Sequence, residues 1–164
     1  MRAENPDRGN FFADLALALL PVMVTSVAGQ LATIPNIDGW YSTLTKPFFN
    51  PPNWIFAPVW TTLYVLMAFA AWRLLRVPHQ VIGRGQALGL FFAQLALNGL
   101  WSWLFFAYRS PVAGLINIVP QLLLIVLTIA KSRSVDRMAA FSLVPLAVWV
   151  AFATVLNFEI WRLN

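Results

Sequence analysis

The chain has 164 residues, 60% of them hydrophobic and 10% charged, with a formal net charge of +5 and no cysteine. A soluble domain carries about 25% charged residues, so this composition excludes an ordinary soluble fold; the missing thiols exclude disulfides, thiolate metal sites and cysteine nucleophiles. The 11 Lys and Arg residues lie between apolar runs rather than in an aromatic-laced patch, which fits membrane topology and not nucleic-acid binding.

A hydrocarbon core about 30 Å thick needs roughly 20 helical residues. The first run long enough covers residues 11–31. Arg2 and Arg8 precede it as they would a secretory signal, but it exceeds the 7–15-residue core of such signals, and Glu4 and Asp7 dilute the positive flank. It is therefore expected to be a retained span, with Asp14 near one end and Pro21 inside.

Residues 32–54 read as a loop, and their second half opens the most distinctive stretch of the chain. Trp40 to Tyr64 holds three Trp, two Tyr, three Phe and four Pro in 25 residues. Proline fixes φ and withholds a backbone donor, so a stiff aromatic loop at the membrane surface is expected here, suited to covering a pocket. The second span, 55–74, carries Trp60 and Tyr64 on one face. The polar link after it holds His79, the only histidine, which leaves no His-rich metal site and no Ser–His–Asp set; no metal site is expected.

The third span, 86–108, has two contrasting faces at about 100° per residue. Gly85, Gly89, Ala93 and Ala96 share one side, a pattern that lets helices approach closely in lipid, within the bundle or between protomers. Gln94, Asn98, Trp101 and Phe105 share the other side, and amides in a span must turn inward to find partners. The fourth span, 111–130, contains Pro120. The fifth, 139–160, contains Pro145 and repeats Trp149, Ala153 and Asn157 every four residues. Prolines are common in membrane helices; the resulting kinks also open space for a ligand.

Short links make neighbouring spans antiparallel, so the expected fold is an all-α integral membrane protein: one domain of five transmembrane helices, without a large soluble part. Eight basic residues (Arg2, Arg8, Arg73, Arg76, Arg84, Lys131, Arg133, Arg137) fall on one side and three (Lys46, Arg109, Arg162) on the other. The positive-inside rule then puts the N-terminus in the cytoplasm if the host is an inner membrane. The interfacial belt accounts for Trp40, Trp54, Trp72 and Trp161 but not for Trp149, which falls mid-span. The faces of the second, third and fifth spans together suit one aromatic pocket with a few hydrogen-bonding groups. No buried carboxylate pair, phosphate-binding glycine loop or metal-ligand helix is present, so the composition favours binding or translocating an apolar, planar ligand over hydrolysis.

Three blocks carry a resemblance. WYSTLTKPFFNPPNWIFAPVWTTLY (40–64), NGLWSWLFF (98–106) and WVAFATVLNFEIWRLN (149–164) are similar to the signature loop, third helix and last helix of the TspO/MBR family, the translocator or tryptophan-rich sensory proteins. The resemblance covers nearly the whole chain and implies a bacterial cell-membrane protein, commonly a homodimer packed through the third helix, here Gly85, Gly89, Ala93 and Ala96. It implies binding of porphyrins such as protoporphyrin IX, and in some members of sterols or benzodiazepine-type ligands, with no required cofactor. Carried onto matching positions, the family pocket is lined by Trp40, Tyr41, Pro51, Phe56, Trp60, Tyr64, Asn98, Trp101, Trp149, Ala153 and Asn157. Some bacterial members degrade protoporphyrin in light, which would give Trp60 and Trp149 a catalytic part; a ligand-regulated interaction partner is a third implied role. Two departures stand out: Leu146 replaces a frequent Tyr after Pro145, and Phe158 replaces the Tyr of the proposed sterol motif between Leu156 and Arg162, which argues against tight sterol binding.

Overall fold

The computed structural model describes residues 10–164, all of whose regular elements are helical. α1 (Phe11–Asn36) runs on into a π turn (Ile37–Tyr41); α2 is Asn53–Arg76; α3 (Arg84–Ser102) ends in a second π turn (Trp103–Ala107); α4 is Pro111–Val135; α5 (Arg137–Ser142) and α6 (Val144–Leu163) form the last crossing. Five stretches are long and apolar enough to cross a membrane: Phe11–Tyr41, Asn53–Arg76, Arg84–Ala107, Pro111–Val135 and Arg137–Leu163. The chain is thus a multi-pass helical membrane protein.

Local chemistry sets the ends. Asn10 accepts from Phe12 N–H at the start of α1, Ser110 caps α4 ahead of Pro111, and Asp136 caps α5 through Ala139 N–H at 2.8 Å. The break between α5 and α6 falls at Leu143, just before Pro145, which has no N–H to donate to the carbonyl of Phe141 and would crowd it. Gly83 and Arg109 adopt positive φ at the turns into α3 and α4.

The loop expected over 32–54 is shorter than its composition suggested. Helical turns continue past Pro35 and, across a kink at Gly39 (φ −91°, ψ −105°), reach Tyr41, so the link to α2 is only 42–52. Asn36 Nδ2 donates to Ala32 O at 2.9 Å and Tyr41 is buried against Phe105 of the π turn after α3, so side-chain bonding and packing hold the turns on either side of the Gly39 kink.

The bundle is apolar outside and partly polar within. Leu20, Val24, Leu31, Ile116, Leu123 and Val148 face outward, whereas Gln94, Asn98, Asn117, Gln121 and Asn157 are buried. One core cluster, including Ala18, Met67, Leu74, Phe91, Ile125 and Leu146, fills the half where α2 ends and α3 begins. A smaller one, built on Tyr41, Phe105, Leu156 and Ile160, fills the opposite half. At the first end Arg76 reaches Asp14 at 3.4 Å and Arg73 reaches Asp136 at 2.6 Å, tying α2 to α1 and to the α4–α5 turn. Six basic residues (Arg73, Arg76, Arg84, Lys131, Arg133, Arg137) gather at this end and Lys46, Arg109 and Arg162 at the other; Arg2 and Arg8 lie outside the described residues.

Candidate functional site

Between the two core clusters lies a cavity of about 320 Å³, at the lower end of the roughly 300–1,000 Å³ usual for small-molecule sites. Nine sequence-selected residues line it: Tyr41, Phe56, Trp60, Tyr64, Asn98, Trp101, Trp149, Ala153 and Asn157. One face of α2 brings Phe56, Trp60 and Tyr64, one of α3 brings Asn98 and Trp101, and one of α6 brings Trp149, Ala153 and Asn157, at the spacing of three or four residues that keeps a helix face aligned; Tyr41 comes from the π turn after α1.

The aromatic walls support one another. Trp60 lies beside Tyr64 with centroids 5.5 Å apart, and Trp149 meets Phe56 edge-on at 5.8 Å. Trp101 stacks on Phe105 at 5.0 Å. Its indole N–H donates to Asn157 Oδ1 at 3.1 Å, while Asn157 Nδ2 donates to the Pro111 carbonyl at 2.8 Å. That pair joins α3, the start of α4 and α6, and fixes the orientation of Trp101. Opposite, the Tyr64 hydroxyl donates to Asn98 Oδ1 at 3.1 Å, linking α2 to α3.

Two selected residues are not on the lining. Trp40 sits on the π turn that ends the first crossing and packs edge-on against Phe105 at 5.6 Å, behind the wall. Pro51 lies in the 42–52 link, where its carbonyl accepts from Asn50 Nδ2 at 3.0 Å. The link closes the end of the bundle through other contacts: Tyr41 hydroxyl to Asn50 Oδ1 at 3.0 Å, Lys46 ammonium over the Tyr41 ring at 4.6 Å, and reciprocal bonds between Thr45 and Asn164 at 2.9 and 3.0 Å. Sequence reasoning missed the wall from α1, namely Ser26, Gly29, Gln30, Thr33 and Ile34, with Ile37 of the π turn that follows. It also missed Gln121 of α4. The signal was there: small and polar residues recurring at helical spacing inside an apolar run.

The walls differ in how well they are sealed. Gln121, Val150, Leu156, Asn157 and Ile160 are buried, whereas Gln30, Ile34, Ala57 and Thr61 are exposed, so the cavity opens sideways between α1 and α2. No charged side chain among the described residues lines it. Its polar groups are neutral hydroxyls, amides and indole N–H groups, an arrangement that can hold and orient a flat apolar molecule but cannot transfer a proton by carboxylate or imidazole. The prolines inside the spans, Pro21, Pro120 and Pro145, are absent from the lining.

The small face of α3 is turned away from the cavity. Gly85, Gly89, Ala93 and Ala96 are exposed, and a Cβ placed on Gly85 or Gly89 would meet nothing within 4 Å. Leu146, at the position of the missing Tyr, is buried in the larger core cluster, and Phe158 is on the outer surface.

The sequence matches the model of the TspO/MBR family over residues 17–162. It is 37% identical over 153 residues to the tryptophan-rich protein TspO of Archaeoglobus fulgidus, covering 92% of this chain and 96% of that one. Similarity to the tryptophan-rich sensory protein of Cereibacter sphaeroides is 37% over 151 residues, covering 92% and 93%. To the translocator protein of Sus scrofa it is 35% over 150 residues, covering 87% and 86%.

Proposed function

The chain belongs to the TspO/MBR family, and on that premise we propose that it is a membrane-embedded tetrapyrrole-binding protein that moves, sequesters or senses porphyrin of the protoporphyrin IX type. The observation that carries this reading is the cavity bounded by Trp60, Trp101 and Trp149, with no charged side chain among the described residues on its lining. A flat macrocycle would stack on these rings and bury apolar area worth about 25 cal/mol per Å². At about 320 Å³ the cavity would be filled by its inner edge, leaving the carboxylate edge to project through the opening between α1 and α2 toward water or lipid headgroups. Sterol-like and benzodiazepine-type molecules are candidates for the same space. The protein needs no cofactor in this role.

Titration with protoporphyrin IX is expected to quench tryptophan fluorescence saturably. In a Trp60→Ala, Trp149→Ala double variant the affinity should fall at least about tenfold, since each ring contributes about 0.5–1.5 kcal/mol beyond its buried area. An unchanged affinity would remove the cavity from the account.

A second reading is favoured by the placement of both indoles on the lining: light- and oxygen-dependent degradation of the bound porphyrin, with Trp60 and Trp149 taking part. Trp60→Phe and Trp149→Phe should then bind normally yet stop light-dependent product formation; equal decay with and without protein would dismiss it. The exposed small face of α3 is the proposed homodimer surface. The basic end of the bundle is the proposed cytoplasmic side of a bacterial inner membrane, with the N-terminus inside.

A further inference from the structure

A second concave surface lies on the outside of the bundle, at its basic end. It is a groove between the start of α3 and the last turns of α4, lined by Gln86, Leu90, Leu127, Ala130 and Lys131. None of these residues lines the central cavity. Gln86, Leu127 and Ala130 are exposed, and Leu90 and Lys131 are half-buried. The groove is graded along the helices. Gln86 and Lys131 stand toward the helix ends, and Leu90 and Leu127, four residues farther in, lie about 6 Å deeper in the span. Gln86 and Leu90 each follow a glycine of the small strip by one residue, about 100° round α3, so the groove borders that strip and is not part of it.

Lys131 is seated there. Its Cε lies 3.4 Å from the point that a Cβ on Gly83 would occupy, so its stem rests on bare backbone at the N-cap of α3. α3 has no side-chain cap and no acidic residue in its first turn, so the lysine charge stands beside the positive end of a helix dipole. Charge of the opposite sign is used up elsewhere. Among the described residues this end holds two carboxylates, Asp14 and Asp136, and they are engaged by Arg76 and Arg73. The Lys131 ammonium has no ion pair among the described residues. An occupant of the groove must therefore be apolar below and anionic above. Lipid surrounds this face, and an anionic phospholipid has that form: its phosphate would meet Lys131 and the Gln86 amide, and one acyl chain would follow Leu90, Leu127 and Ala130. A zwitterionic lipid would bring its own ammonium up to Lys131, and a free phosphate ion would leave the apolar floor uncovered. We propose that the α3–α4 groove is a binding site for an anionic phospholipid of the leaflet at the basic end, with Lys131 recognising its headgroup. The site is independent of what the central cavity binds.

Native mass spectrometry of the intact protein in detergent tests it, with phosphatidylglycerol and phosphatidylcholine of the same acyl chains as probes. The first phosphatidylglycerol should bind at least about fivefold more tightly than the first phosphatidylcholine, the worth of one lysine at an anionic membrane surface. Lys131→Gln should bring the two lipids within about twofold of each other, and Lys131→Arg should keep the preference. Arg133→Gln removes an exposed cation of the same end that is not on the lining, and should leave the preference as in wild type. Ala130→Trp fills the apolar floor and should weaken both lipids by at least about fivefold. An unchanged preference in Lys131→Gln, or an equal loss in Arg133→Gln, would overturn the proposal and leave only general attraction to the basic end. Displacement of bound lipid by inorganic phosphate would overturn it in favour of a headgroup-only site. Loss of a dimer in Ala130→Trp with lipid binding unchanged would overturn it in favour of a second copy of the chain. Should Ala130→Trp not fold, the two Lys131 variants decide. Protoporphyrin quenching should be the same in wild type and Lys131→Gln, so failure of the lipid site leaves the cavity reading standing, and the reverse.

Discussion

Gly114 is the residue on which the cavity's framework closes. A Cβ there would come 2.8 Å from Asn157 Oδ1 and 3.0 Å from the Phe105 ring, against the side chains that orient Trp101. Gly114→Ala should therefore cost about 1–3 kcal/mol, as overpacking does, and lower the midpoint of thermal unfolding followed by tryptophan fluorescence. Gly89→Ala, with open space at its Cβ, should change the same midpoint by less than about 0.5 kcal/mol in equivalent stability. The sequence marked Trp101 and Asn157 separately, each by its place on a helix face. It could not mark Gly114, because nothing local distinguishes a glycine that admits a neighbour from one left bare. Trp40 was selected as an aromatic at the loop and proved to back Phe105 instead, since one helical position rotates a side chain by about 100°.

At the scale of elements, helix existence was plain from hydropathy, and helix ends were not. The first crossing outlasted its apolar run by ten residues because contacts of Tyr41 with Phe105 and Phe106, at 6.3 and 5.5 Å, reward order that the local sequence disfavours. The last crossing is split where Pro145 removes a donor. Asp136 shows how such junctions are held: one oxygen caps α5, the other takes Arg73 of α2. Asp136→Ala should destabilise the protein by about 1–2 kcal/mol in chemical unfolding, and Asp136→Asn by less, because the amide oxygen still caps. Burial would push the Asp136 carboxyl up, but the Arg73 hydrogen bond, the Ala139 N–H and the Arg73 charge outweigh it and hold the group below the usual carboxylate range. A depressed folded-state value means that this contribution is complete above an unfolded value of about 3.9 and is lost as pH falls through the folded one. Wild type should thus lose its advantage over Asp136→Asn only on acidification below about pH 4, measured by unfolding across pH.

For the whole molecule, the strip of Gly85, Gly89, Ala93 and Ala96 is the clearest unpartnered surface with close-approach character. Gly89→Leu should convert a dimer to a monomer by light scattering in detergent while leaving protoporphyrin quenching intact, since the strip faces away from the cavity; an unchanged mass would place the interface elsewhere. With the basic end on the cytoplasmic side, as proposed, a reporter fused after Asn164 should lie outside the cytoplasm, and a cytoplasmic reporter would refute that orientation. The sequence by itself determined the five crossings, the antiparallel order and most of the aromatic lining. Lipid compels long apolar runs to be helices and compels their amides inward, so composition and period suffice for these. Only the tertiary structure decided that α1 supplies a wall, that the cavity opens between α1 and α2, and that Gln121 is buried at its lining. Those features depend on how helices are rotated and splayed against one another, and interhelical packing is a property of pairs of surfaces that no single stretch of sequence contains.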